Sequence, residues 1–214
     1  MKKITFTLVA TLLVALSFAQ NPKYVAAMKK NIAQIDSVGS SADLFANLSN
    51  NFERIGTSEK KEWLPYYYAA YCEINSAFMQ KDPSGNDPLA DAAEKLVNKA
   101  DSLMPNNSEI SCLKSMVATL RMLVNPQQRF MQYGALAEKE MQTAIKQDPT
   151  NPRPHMLKGQ NLKGTPEQFG GGCKTAKTHL QKAVDLYAAF KPASDIAPNW
   201  GKGNTEWLLK GCSQ

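Results

Sequence analysis

Apolar residues return every three or four positions along most of this chain, the period that gathers them on one face of a helix. No segment alternates apolar and polar residues in the manner of a half-buried strand. The first predicted helix covers residues 22–37, with Pro22 in its opening turn and Tyr24, Ala27, Met28, Ile32 and Ile35 as its stripe. A second, capped by Ser41 or Asp43, carries Leu44, Phe45, Leu48, Phe52 and Ile55 and closes at Gly56. A third, over 58–79, is aromatic between Trp63 and Tyr71, and Pro65 within it predicts a kink or a start near Trp63. Beyond the turn formers of 81–88, helices are predicted at 89–102, 108–123, 127–147, 153–162, 173–190 and 204–212. Short connections between them favour antiparallel neighbours.

Two of these helices end in the same spacing. Ala93, Val97, Ala100 and Pro105 recur as Ala137, Met141, Ala144 and Pro149, and Ala176, Leu180 and Ala183 repeat the first part without the proline. Small residues one and two turns apart let two helices approach closely, and the larger apolar residue between them fills the shared core. The proline stops the helix before the next pair begins. A single hairpin of this kind cannot bury its apolar face, so the pattern predicts units that stack in a row.

This spacing resembles the second helix of the tetratricopeptide repeat family. Trp63, Tyr66, Tyr67 and Ala70 resemble the family's first-helix positions, with the bulky Tyr67 where the family prefers glycine, and in a later unit Gly159 falls at that glycine and Leu162 at its tyrosine. The tail, with Asn151-Pro152-Arg153, the run from Thr165 to Gly171 and Pro198-Asn199-Trp200-Gly201, resembles exported bacterial tetratricopeptide proteins without an assigned activity. The resemblance implies an all-α fold, a short right-handed solenoid of antiparallel hairpins. Its divisions are an N-terminal hairpin over 20–57, three inserted-loop units over 58–190 and a capping helix over 191–214. First helices line the inner face in this family. Their register, carried onto this chain, implies a groove contacting a partner through Tyr68, Tyr71, Glu109, Met116, Arg153, Met156, Gln160 and Lys163. Leu64 and Tyr68 stand where the family's carboxylate-clamp subclass has Lys and Asn, which disfavours recognition of chaperone tails.

Residues 1–19 change the setting. Lys2 and Lys3 precede a short apolar run, and Ser17-Phe18-Ala19 offers small residues where a signal peptidase reads, so export with cleavage after Ala19 is expected. The run is shorter than the ~20 apolar residues of a spanning helix. Loss of Lys2 and Lys3 lowers the formal charge from +6 to +4. The excess sits from Asn151 onward, where 9 basic residues face 4 acidic ones, without an aromatic-interleaved basic cluster. Nucleic acid is therefore not an expected partner. The four cysteines, Cys72, Cys112, Cys173 and Cys212, have no CxxC spacing that would indicate zinc or a redox pair, but an exported chain permits two disulfides. If the last helix folds back on the one starting at Cys173, Cys212 returns beside it; Cys72 and Cys112 would form the second pair, or all four would be buried thiols.

The motifs that suggest chemistry fail on detail. Gly170-Gly171-Gly172-Cys173-Lys174-Thr175 lacks the glycine before lysine of a phosphate loop and has no preceding strand. The acidic turn at 82–87 misplaces Gly85 for a calcium loop. His155 and His179 have no acid or thiol partner nearby in sequence. The sequence therefore predicts a non-catalytic envelope or secreted module, with no cofactor and no membrane span, whose groove binds a protein or peptide partner. The alternative is a carrier of small molecules or peptides with an aromatic pocket near Trp63 to Tyr71.

Overall fold

The computed structural model describes residues 21–212, so the expected signal segment lies outside the described residues. All regular structure within them is helical. The order is α1 (Pro22–Ile35), α2 (Ala42–Ser58), α3 (Leu64–Phe78), α4 (Asp87–Leu103), α5 (Ser108–Val124), α6 (Pro126–Arg129), a π-helical turn (Phe130–Gly134), α7 (Ala135–Gln147), α8 (Arg153–Gly164), α9 (Cys173–Ala189) and α10 (Lys202–Gly211). No helix among the described residues is long and apolar enough to cross a membrane.

Local chemistry sets these boundaries. Asn21, Ser41 and Asn107 accept hydrogen bonds from the first free amides of α1, α2 and α5. Proline opens α1, α3, α4 and α8, where its missing N–H costs nothing. Pro65 therefore starts α3 instead of kinking a longer helix. The expected single helix at 127–147 is broken. Asn125 and Pro126 end α5 and begin the short α6, and the π-turn then inserts an extra residue before α7. Arg129 holds this corner by a two-pronged ion pair to Asp87, at 2.7 and 2.8 Å.

Each of the longer helices packs on its neighbours in the chain, and α1, α3, α5 and α8 also touch one another in that order along one side. The repeat spacing explains the close approach. Ala93, Ala100, Ala144, Ala176 and Ala183 are all fully buried, with Val97, Met141 and Leu180 between them. A Cβ on Gly159 would lie 2.6 Å from the Leu180 side chain, so α8 meets α9 only because position 159 has none. Buried serines tie adjacent hairpins: Ser49 Oγ donates to the Ala69 carbonyl and Ser108 Oγ to that of Ala144, both at 2.9 Å. One core runs from Tyr24 to Ile196, and a small satellite of Ala176, Leu180 and Leu208 holds α10.

Cys173 and Cys212 form a disulfide that fastens the end of α10 to the start of α9. Cys72 and Cys112 remain free and fully buried, which corrects the second expected pairing. Burial pushes both thiols well above their ordinary value, so they pack as small apolar groups and not as nucleophiles.

His155 on α8 and His179 on α9 stack at 6.2 Å. Burial lowers both below the usual imidazole range; His179 and the lysines at 182 and 158 add to it for His155, while for His179 Lys158 lowers and Glu138 raises. Folded-state values below the unfolded one mean that stability present above roughly pH 6.5 is lost as pH falls through that range. The melting temperature is expected to drop from pH 7.5 to 5.5, and less so in the His155→Gln/His179→Gln variant. Equal drops in both proteins would overturn this assignment.

Candidate functional site

The side shared by α1, α3, α5 and α8 encloses a groove of about 550 Å³. Tyr71, Asn75 and Phe78 are spaced by four and three residues, so they share one face of α3. Ser115, Met116 and Thr119 do the same on α5, and Met156 and Gln160 on α8. Trp200 and the opening residues of α10, Gly203 and Asn204, complete the lining. Gly201, at φ +104°, turns the chain there; a Cβ in its place would meet the Tyr187 hydroxyl and lie 2.9 Å from Met156 Sδ. Asp36, which closes α1 and is exposed, also lines the groove.

An aromatic pair forms part of the floor: the rings of Tyr71 and Trp200 lie 4.8 Å apart at 33°. Trp200 Nε1 donates to the Tyr67 hydroxyl at 2.7 Å, and Tyr67 donates to Glu109 Oε2 at 3.0 Å. Glu109 Oε1 also accepts from Arg153 Nη1 and Asn151 Nδ2, both at 2.8 Å. The Arg153 side chain is 0% exposed, and its guanidinium lies 4.8 Å from the Phe190 ring and 5.1 Å from that of Trp200. A buried ion pair thus sits one layer beneath the groove, joined to it through Tyr67 and Trp200. Burial raises the Glu109 carboxyl from its ordinary value, against the pull of Arg153 and of the Tyr67 and Asn151 donors. Burial also raises Tyr67 and Tyr71, so their phenols remain protonated.

The residues expected in the groove divide cleanly. Tyr71, Met116, Met156 and Gln160 line it. Tyr68, Glu109 and Arg153 do not: Tyr68 is buried against Phe52, at 5.2 Å between rings, and Glu109 and Arg153 form the ion pair below the floor. Lys163 is also displaced. Its Nζ donates to the Leu208 carbonyl near the end of α10 and lies over Trp207. Of the aromatic segment from Trp63 to Tyr71, only Tyr71 reaches this groove; Trp63 lines a separate cleft with Phe190. Trp200 was expected in a cap over the last core, and Asn75, Phe78 and Asn204 had no expected role. The 3.6-residue period starting from Tyr71 would have found Asn75 and Phe78. The motif Pro198-Asn199-Trp200-Gly201 marks Trp200 but not its role, because its partner Tyr67 is 133 residues away.

Among the described residues no cluster of three or more His, Cys, Asp or Glu side chains is arranged to hold a metal ion. No family model matches the chain, and no curated protein matches it either. Among solved structures, the HusA haemophore from Porphyromonas gingivalis is 40% identical to it. The match has a TM-score of 0.80 and covers 90% of this chain and 94% of HusA. An all-helical chain whose likeness extends over nearly the whole of its relative, at that identity, belongs to the same protein family as HusA.

Proposed function

We propose that this protein is an exported haem carrier that holds its cargo in the groove between α3, α5, α8 and α10. The observation that carries the reading is the 40% identity with a haemophore over nearly its full length. The groove has the chemistry such a cargo needs. Haem is a flat ring with apolar faces and two carboxylates, and the lining offers an aromatic pair, Tyr71 and Trp200, with the thioethers of Met116 and Met156. Its volume of about 550 Å³ suits a ligand of that size. No histidine or cysteine is among the described lining residues, and burial keeps the Tyr71 phenol protonated and a poor iron ligand. Contact with the ring faces is accordingly the main source of affinity in this reading.

The tetratricopeptide-like reading of the stack fits the same function, since its first helices supply three walls of the groove. The signal-like character of residues 1–19 fits a carrier that works outside the cytoplasm. A carrier transforms nothing, so no catalytic role is assigned. This reading takes the place of a scaffold for protein partners, because the relative is a haemophore.

Haemin titration tests it. One equivalent is expected to shift the Soret band, quench tryptophan fluorescence and raise the melting temperature by mass action. Tyr71→Ala should weaken binding about tenfold, the scale of one lost aromatic contact. Met116→Trp should fill the groove and weaken it further. Absence of saturable binding at micromolar haemin would overturn the reading, as would affinity unchanged in both variants.

A further inference from the structure

Asp36 is the one charged side chain among the described lining residues of the groove. It follows the last residue of α1, where the free carbonyls of the helix already gather negative charge, and the last turn of α1 holds no basic residue. No ion pair among the described residues includes it. Its field also reaches the aromatic floor: burial is the main cause of the raised Tyr71 phenol, and Cys72 and Asp36 add to it.

A carboxylate without a partner at the negative end of a helix costs stability. Departures from a local rule of this kind collect at functional sites, where another requirement outweighs the cost. Here the residue stands in the lining of the groove itself.

Building on the carrier reading, we infer that Asp36 is a specificity-determining residue: it turns the carboxylate edge of the cargo away and discriminates against tetrapyrroles that carry acids on every edge. The rest of the described lining is uncharged, so elsewhere the ring is held by shape and apolar contact. Protoporphyrin IX carries both of its acids on one edge and can seat with a bare edge beside Asp36. Coproporphyrin I carries an acid on each pyrrole, so in every orientation one of them meets a like charge. Discrimination by a repulsive group leaves the favoured ligand untouched and penalises its competitor.

The experiment titrates the purified full chain with metal-free protoporphyrin IX and with coproporphyrin I, by tryptophan quenching in one buffer. Asp36→Asn should tighten coproporphyrin I about fivefold, the scale of one like charge removed across a partly hydrated groove, and change protoporphyrin IX less than about twofold. Asp36→Lys should enlarge the gain for coproporphyrin I. Both gains should shrink at ~1 M salt, where exposed charges are screened. Each variant removes negative charge from a helix C-terminus, so its melting temperature should hold or rise. Equal changes for the two porphyrins, or no change for either, overturn the inference and leave the carrier reading standing. So does a gain that survives salt undiminished. If neither porphyrin binds the wild type, both fail together.

Discussion

Glu109→Ala is expected to lower folding stability by about 3–5 kcal/mol, the cost of leaving one member of a buried ion pair alone. Arg153 has no exposed surface, and among the described residues its only ion pair is with Glu109. Its Nε and Nη2 are buried without partners, so removal of Glu109 leaves a guanidinium held by ring faces alone. The same carboxylate accepts from Tyr67, which loses its acceptor, and from Asn151, which keeps only Ser108 Oγ. Urea unfolding is the measurement, with the midpoint shifting while the slope stays constant. The double variant Glu109→Leu/Arg153→Met should recover much of the loss, since an apolar pair of similar volume avoids the desolvation of two charges. A loss under about 1 kcal/mol in Glu109→Ala would mean that the pair is solvated and behaves as a surface bridge. The variant has a second readout. Trp200 is anchored through Tyr67 to this carboxylate, so haemin affinity is expected to fall in the fraction that remains folded.

That chain of contacts also explains which parts of the molecule were legible in the sequence. The Ala–apolar–Ala spacing reports a local requirement, two helices pressed together, and each of its nine positions in the three units is buried where the spacing places it. The inner-face register was legible for the same reason: Tyr71, Met116 and Met156 lie on the faces that the period assigns them. Arg153 and Glu109 follow that register too, yet they stand in the first turns of α8 and α5, one layer below the groove. Their pairing spans 44 residues, and no periodicity encodes it. Lys163 lies in the last turn of α8, past the groove, where the approach of α10 decides its partner. The π-turn was hidden because Gly134 is the one helix-unfavourable residue between Gln127 and Gln147, and a single glycine does not by itself mark a π-turn. The role of Trp200 was hidden most deeply. It sits outside any helix, and its role comes from Tyr67 and Tyr71 on an element folded long before it in the chain.

Cys173→Ser/Cys212→Ser is expected to cost about 4 kcal/mol by the chain-entropy account, given the sequence separation of 39 between the two cysteines. The loss should not be uniform over the fold. Outside the disulfide, α10 is held by a satellite core of three buried residues and by Lys163, while the main core lies elsewhere. Without the disulfide, α10 should open before the rest of the stack, and hydrogen exchange should show lost protection in residues 202–211 at pH 7 while α3 and α5 remain protected. Because Gly203 and Asn204 belong to the groove wall, the reduced wild type and the double-serine variant should bind haemin several-fold more weakly at temperatures where both remain folded. The disulfide then acts on function through position: it keeps one wall of the groove in place and lets a thin satellite core suffice. Unchanged affinity together with unchanged protection over α10 would show that Leu208, Thr205 and the anchored Trp200 hold the wall unaided.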